Sequence, residues 1–417
     1  MHENTFTQER ALLVAVDLGD YDIDSSLNEL EELAATADIQ VVGQIVQKRD
    51  RADMATAIGG GKLEEVAQFV EANDIDLVIF DQELSATQLR NLEKACKIAV
   101  IDRTMLILEI FAENARTSEG KLQVELAQHR YLLPRLAGMG KSLSRLGGGG
   151  GGGGGARRGK GESKLELDRR HIRRHITHLE ERLGELTDRR DRMRLRRKKD
   201  GVTTVAIVGY TNVGKSTLLN TLTDAGVLSE NKLFATLDPT SRALALPDGR
   251  EVMLIDTVGL VRRLPHHLVE AFKSTLEEAV NADLLLNVCD ISSPEAEEQV
   301  AVTNELLKEL GVERTPILTV FNKCDKIDIP PFDVGEQSVL ISAKTGFGME
   351  ALLQKIAKLL PPSQRQMNLL IPYSEGGLVN EIRRDGKVLS EEYVDSGIRL
   401  DAMVDYKLIG RMEQYLQ

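Results

Sequence analysis

Short apolar runs punctuate residues 1–105. ALLVAVDL (11–18), IQVVGQIVQ (39–47), DLVIFD (76–81) and IAVID (98–102) have strand length, and SSLNELEELAATA (25–37), KLEEVAQFVEAN (62–73) and SATQLRNLEKAC (85–96) alternate with them at helical spacing. This alternation predicts an α/β subdomain over 1–105, a parallel sheet covered by helices. From about residue 106 the period becomes helical. EGKLQVELAQHRYLLPRL (119–136) places Leu122, Leu126 and Leu133 on one face, and Ile172, Ile176, Leu179, Leu183 and Leu186 recur at 4,3,4,3 spacing, the seam of a two-helix coiled coil. An antiparallel coiled-coil hairpin is therefore expected over 106–200. TTVAIVG (203–209), VMLID (252–256), LLLNVCD (284–290), ILTVFN (317–322) and VLIS (339–342) read as buried strands of a central, doubly wound domain at 201–363. Short alternating strands with turn signals at ArgAspGly and AspSerGly predict a small α+β domain over 364–417.

Between the hairpin helices lie nine consecutive glycines, 147–155. That run forms no core. A coiled-coil hairpin needs only a few residues to turn, so a tip flanked by Lys141, Arg145, Arg157, Arg158 and Lys160 reads as a probe for an anionic site. Charge supports this: residues 157–199 carry 17 Lys/Arg against 8 Asp/Glu, a net of +9, while the rest of the chain sums to −21. A basic arm on an acidic body is the pattern of phosphate-backbone binding. No helix-turn-helix or zinc-finger spacing accompanies it. His171, His175 and His178 share a helix face, but Arg169, Arg170, Arg173 and Arg174 surround them, and that field argues against a divalent ion.

At 417 residues, with 42% hydrophobic and 28% charged content, the chain has the composition of a soluble multidomain protein. Cys96, Cys289 and Cys324 are odd in number and far apart, against a disulfide framework or zinc site and in keeping with a cytoplasmic setting. No signal sequence or 18-residue apolar span is present, so no membrane insertion is expected, and nothing demands more than a monomer.

The chemistry concentrates at the ends of the central strands. Gly209, Tyr210, Thr211, Asn212, Val213, Gly214, Lys215 and Ser216, with Thr217 opening the next helix, fit GxxxxGK[ST] between a strand and a helix. In that context backbone N–H groups face phosphates, Lys215 reaches the β- and γ-oxygens, and the Ser216 hydroxyl binds Mg²⁺. Asp256, Thr257, Val258 and Gly259 form AspThrValGly, with Asp256 holding the Mg²⁺ shell and the Gly259 N–H directed at the γ-phosphate. Asn322, Lys323, Cys324 and Asp325 follow a further strand. Asp325 can accept from the guanine N1–H and N2 amine, and a carboxylate buried there would be left unpaired against adenine, which favours guanine. Ser342, Ala343 and Lys344 complete the set, with the Ala343 N–H available to guanine O6. The segment containing Phe234, Ala235, Thr236, Leu237 and Asp238 must supply a mobile threonine to the Mg²⁺ shell. Thr236 is the choice and Thr240 the rival, and spacing does not separate them. Leu260 stands where many such enzymes place a water-orienting glutamine. Lys215, Thr236, Gly259 and Leu260 are thus the candidate catalytic positions. A leucine cannot orient water, so hydrolysis should be slow until a partner, a potassium ion or another residue completes the site. Arg262, Arg263, His266 and His267 follow this switch as candidates for partner contact.

With these residues in place, the chain resembles the HflX family of translational GTPases over nearly its full length. The likeness rests on GGGKLEEV (59–66), IDRTMLILEIFAENARTSEGKLQVELAQHRYLLPRL (101–136), the Gly-rich tip, GKGESKLELDRR (159–170), GYTNVGKSTLLN, LFATLDPTSR, DTVGLVRRLPHHLVEAFKSTLEE, NKCD and SAKTG. The uninterrupted glycine run departs from the mixed stretch the family pattern leads one to expect. The resemblance implies GTP/GDP and Mg²⁺ as cofactors, with Ser216 and Thr236 as metal ligands and Asn322, Asp325 and Ala343 on guanine. It also implies docking on the large (50S) ribosomal subunit and its rRNA through the 106–200 hairpin, splitting or rescue of ribosomes under stress such as heat shock, and a cytoplasmic, partly ribosome-associated protein. A ribosomal protein is a candidate contact for the C-terminal domain. Two other functions compete: an RNA-remodelling ATPase using GlyGlyGlyLys at 59–62 for a second nucleotide, which otherwise reads as a tight turn into a helix, and a GTP-sensing module with a non-ribosomal partner.

Overall fold

The computed structural model describes residues 8–136, 161–199, 201–223, 233–234, 240–261, 268, 276–312, 315–328, 335–361 and 364–416. The glycine run with its flanking basic residues, Ala235–Asp238, and the 262–267 segment lie outside them.

The first unit is a four-stranded parallel sheet, β1 (Glu9–Asp17), β2 (Ile39–Lys48), β3 (Leu77–Phe80) and β4 (Ala99–Asp102), in the order β2-β1-β3-β4. The unbroken run Ala11–Val16 is no more than 1% exposed, as a central parallel strand covered on both faces requires. Helices α1 (Ile23–Thr36), α2 (Gly60–Ala72) and α3 (Ala86–Cys96) lie between the strands. Local chemistry sets their starts: Asp22 accepts from the amides of Asp24 and Ser25, and Ser85 with Gln88 forms a capping box.

Helix α4 (Arg103–Asn114) spans the expected boundary at 105. Residues 105–108, 110 and 111 are at most 1% exposed, and they share one core with the first sheet, joined by Val124, Ala127, Tyr131 and Leu132 of the next helix. A helix apolar on most of its faces belongs inside a body.

Helices α5 (Ser118–Leu132) and α6 (Gly161–Lys199) form the hairpin. Glu119 pairs with Arg190 at one end, and Glu125 meets His175 at the other, so the helices are antiparallel. Leu122, Leu126 and Leu179 pack with Ile176, Leu183 and Leu186, as the spacing predicts. Ile172 and Leu133 are half-buried and lie outside this cluster, which ends one turn short of Ile172 and two turns short of Leu133.

The central unit has six strands: β5 (Thr204–Gly209), β6 (Thr240–Ala245), β7 (Glu251–Asp256), β8 (Leu284–Asp290), β9 (Ile317–Asn322) and β10 (Ser338–Leu340), in the order β10-β9-β8-β5-β7-β6. All neighbours are parallel except β6 with β7. Helices α7 (Lys215–Thr223), α8 (Ala296–Glu309) and α9 (Met349–Leu359) belong to this unit. The C-terminal unit is an antiparallel sheet of β11 (Gln364–Ile371), β12 (Lys387–Val394) and β13 (Gly397–Asp405) with α10 (Gly376–Asp385) and α11 (Tyr406–Met412), the expected small α+β domain.

Two contacts tie the units together. Leu233, Phe234, Val258, Val261 and Leu268 of the central unit are buried in the core of the first. On the other side, Arg190 bonds Glu277 at 2.9 Å, and Arg194 bonds Glu278 at 2.8 and 3.0 Å, clamping α6 to residues 276–280. Burial opposes the Arg194 charge, but Glu278 and Glu277 outweigh it and hold the group further toward its protonated form. Among the described residues no helix is long and apolar enough to cross a membrane.

Candidate active site

The site forms at the carboxyl ends of β5, β7 and β9 and in the loop after β10, where a doubly wound sheet gathers its ligand groups. Gly209 leaves β5 at φ +144°, and a Cβ there would lie 2.1 Å from the Val288 carbonyl oxygen, so only glycine fits between adjacent strand ends. A Cβ on Gly214, at φ +94°, would come within 2.4 Å of Asn322 Nδ2. These glycines let the loop wrap closely before α7 begins at Lys215. Tyr210 and Val213 point into the hydrophobic core, whereas Asn212 is exposed at φ +59°.

Lys215 is buried, and its Nζ donates to the carbonyls of Gly209 (3.1 Å) and Tyr210 (2.5 Å). Burial pulls its pKa down to about 8, against the opposing pull of Asp256. The Ser216 hydroxyl donates to Asp256 Oδ2 at 2.8 Å, so a hydroxyl and a carboxylate oxygen sit side by side, a hard-oxygen pair that suits Mg²⁺. Thr257, fully buried, donates from Oγ1 to the Ile207 carbonyl at 2.7 Å and locks the turn after β7. At Gly259 a Cβ would meet Thr211 Cγ2 at 2.7 Å and Lys215 Nζ at 3.1 Å, which places this residue directly beside the lysine.

Leu260 is zipped to the phosphate loop: its N–H donates to Gly209 O at 3.0 Å, and its carbonyl accepts from Thr211 N at 2.9 Å. Its side chain is 5% exposed and packs in the same core as Tyr210 and Val213. As a candidate catalytic position it is thus a hydrophobic plug. Thr240, the rival to Thr236, opens β6 opposite Asp256 in the sheet. Thr236 itself lies outside the described residues, as do Ala235, Leu237 and Asp238.

Asn322, read from the sequence as a guanine contact, also ties two loops of the protein together. Its Nδ2 donates to Val213 O at 2.8 Å, and its Oδ1 accepts from the Ala343 N–H at 2.9 Å. Asn322 is therefore a strut joining the phosphate loop to the SerAlaLys turn, and a guanine O6 would share the Ala343 N–H with it. Lys323, at φ +63°, donates to Asn212 O at 2.7 Å and pairs with Asp290 at 2.8 Å, a second strut to the same loop. Thr221 adds a third by donating to Ala343 O at 2.7 Å. Asp325 is exposed rather than buried; Ser342 Oγ donates to it at 2.6 Å and holds its carboxyl below the usual range. The carboxylate is thus oriented and charged, and a stacked base would bury it. Cys324 is half-buried and Lys344 exposed beside them.

Sequence reasoning missed the struts from Lys323 and Thr221, Asp290, and the docking of the switch segments. Phe234 sits at φ +55°, 3% exposed, with its ring edge-on to Phe111 at 4.5 Å between centroids. The Leu233 N–H donates to Thr36 Oγ1 at 3.2 Å. Elsewhere, the Gly59 N–H of the GlyGlyGlyLys turn is taken by Gln47 at 2.8 Å and Lys62 pairs with Glu65, in keeping with the tight-turn reading.

A phosphate loop backed by a Ser–Asp pair, a glycine at the γ-phosphate edge and an oriented carboxylate for the base define a P-loop GTPase. Comparison with known proteins agrees. Family models described as GTP-binding GTPase N-terminal, GTP-binding GTPase Middle Region and 50S ribosome-binding GTPase match residues 24–112, 114–197 and 204–323. A GTPase HflX of Caldanaerobacter subterraneus is 49% identical, covering 100% of this chain and 96% of its own. That of Escherichia coli K12 is 42% identical over 89% and 87%. A solved GTP-binding protein of Sulfolobus solfataricus in complex with GDP is 26% identical over 84% of this chain and 98% of its own, at a TM-score of 0.46. The chain belongs to the GTPase HflX family and is a GTP-binding, GTP-hydrolysing enzyme.

Proposed function

We propose that this GTPase docks on the large (50S) ribosomal subunit through its basic hairpin and couples its nucleotide state to the splitting or rescue of ribosomes under stress. The observation that carries the reading is the burial of Leu233, Phe234, Val258, Val261 and Leu268, which flank the nucleotide site, in the core of the N-terminal unit. Any rearrangement of those segments on GTP binding must be felt by the unit that bears the arm. The arm is held to the GTPase unit as well, through Arg190 and Arg194. A family model described as a 50S ribosome-binding GTPase supports the choice of partner. A contact between the C-terminal unit and a ribosomal protein belongs to the same reading, and so does a monomeric, cytoplasmic protein.

Ser216, with Asp256 beside it and Thr236 by resemblance to the family, would hold Mg²⁺, which supplies charge neutralisation at the phosphates. Gly214 and Gly259 leave room for phosphate oxygens, Lys215 carries the positive charge to meet them, and Asp325 selects guanine. Leu260 excludes water from its side of the loop and offers it no hydrogen bond, so hydrolysis is slow alone and rises when a partner, or K⁺ at the site, supplies the missing group.

The test is GTP hydrolysis with and without purified 50S subunits, in K⁺ and in Na⁺, for wild type and a variant lacking residues 147–155. Strong stimulation by 50S, weakened by the deletion, is expected. Equal slow rates in every mixture would refute it and favour a GTP-sensing module with a non-ribosomal partner. ATP turnover surviving Asp325→Asn and Lys215→Ala would favour the RNA-remodelling ATPase instead.

A further inference from the structure

Within the hairpin, two helices bring together side chains that the nucleotide site does not use. Glu125 and His129 are one turn apart on α5, and His175 faces them from α6. One ligand atom from each lies within 4.8 Å of the others. Glu125 Oε1 is 2.8 Å from His175 Nε2 and 3.9 Å from His129 Nε2, and the two imidazoles meet edge to face with centroids 4.8 Å apart. His171, one turn from His175, stacks parallel to it at 6.4 Å.

We propose that Glu125, His129 and His175 form a binding site for a late first-row divalent cation, Zn²⁺ in the first instance, that staples α5 to α6. Two imidazoles and a carboxylate are the donor set of three-ligand zinc sites, with a fourth position for water or His171. Bonds of about 2.0–2.2 Å in a tetrahedron set donor atoms roughly 3.3–3.5 Å apart. The observed 2.8 and 3.9 Å separations bracket that value, so small side-chain rotations on fixed helices complete the geometry.

Two further facts favour an ion over a structural polar cluster. His129 Nδ1 is buried with no hydrogen-bond partner among the described residues, so that nitrogen is not consumed by a structural bond. Of the arginines that argued against an ion on sequence grounds, Arg170, Arg173 and Arg174 are exposed, where salt screens them, and Arg169 is half-buried; Arg130, on the opposite helix, is paired with Glu180 at 2.8 Å. The sequence pattern offered His178 as a third ligand on the same helix, but the third and fourth donors come from the opposite helix.

The full-length chain, stripped with chelator, is titrated with Zn²⁺ against a competing chromophoric chelator and separately with Co²⁺, whose visible bands report four-coordination. One equivalent is expected to bind with four-coordinate Co²⁺ absorption. Affinity should fall at least tenfold in His129→Ala, His175→Ala and Glu125→Gln, and stay unchanged in His178→Ala. GDP affinity and helical circular dichroism verify folding; should His129→Ala unfold, His175→Ala and Glu125→Gln, at more exposed positions, carry the test. No binding at micromolar free Zn²⁺, or binding that all the variants retain, which would mean an adventitious ion only, overturns the proposal. The readout is independent of GTP turnover and of ribosomes, so its failure leaves the proposed function untouched.

Discussion

Phe234→Ala tests whether the switch segment is held by the N-terminal unit. The ring is 3% exposed and edge-on to Phe111. Removing a packed phenylalanine from a core costs about 3–5 kcal/mol, of which an aromatic pair contributes roughly 0.5–1.5. The left-handed backbone at φ +55° strains an alanine as it does a phenylalanine, so that strain cancels from the difference. The change is therefore about 3–5 kcal/mol, or roughly a 150- to 5,000-fold shift toward the undocked segment. The assay is native-state hydrogen exchange at the Leu233 amide, which donates to Thr36, and at the amides of residues 105–111 beneath the ring. Exchange should accelerate by that factor at both places and stay unchanged in the C-terminal sheet, which has its own core. Thr36→Val, which removes only the hydrogen bond, should give a smaller change of about 1 kcal/mol. Unchanged protection at Leu233 in Phe234→Ala would refute the docking argument.

Other consequences can be measured at the nucleotide itself. Asp325→Asn replaces a charged acceptor by an amide and should weaken GTP by about 1.5–3 kcal/mol while improving xanthosine triphosphate, whose C2 oxygen can accept from the new N–H; competition binding checks both, and an unchanged GTP affinity would remove Asp325 from the base site. Because Lys215 titrates near 8 in the free protein, it is about three-quarters neutral at pH 8.5 and about one-tenth neutral at pH 7. Phosphates favour its charged form, so calorimetry in buffers of different ionisation heat should show proton uptake on GDP binding at pH 8.5 and little at pH 7; equal uptake at both would contradict the assignment. For folding alone the same depressed pKa makes the unfolded chain the better proton binder between about 8 and 10.5, so this group's contribution to stability grows as pH rises through that window. Leu260→Gln, a change toward the usual water-orienting residue, should not accelerate basal hydrolysis. It places an amide in the Tyr210–Val213 core at a cost of about 1–3 kcal/mol, and a tenfold faster basal rate with an unaltered melting temperature would overturn the plug assignment.

Much of this site was legible because its residues sit at fixed places in a repeating element. Each nucleotide-facing motif closes a buried strand, and a strand shows in sequence as an apolar run whatever it packs against. The run ending at Gly209 and that ending at Asp256 became neighbours β5 and β7, so adjacency of Ser216 and Asp256 followed from topology. Asn322 shows the limit of that logic: the sequence puts it at a strand end, but an amide that both donates and accepts can serve a base, two loops or both. Only the tertiary arrangement shows that it ties Val213 to Ala343. The expected boundary at 105 falls inside α4 for a related reason, since α4 is apolar on most of its faces and periodicity does not say which body owns it. Leu233, Phe234, Val258, Val261 and Leu268 lie in connecting segments with no period at all, so nothing local distinguishes residues that fill another unit's core from incidental apolar loop positions. The same holds for His129 and His175, 46 positions apart and separated by the tip. What the chain hides in sequence are its contacts between units. Those contacts join the switch segments to the unit that carries the arm, and they are where a change at the phosphates must pass if it is to move the tip.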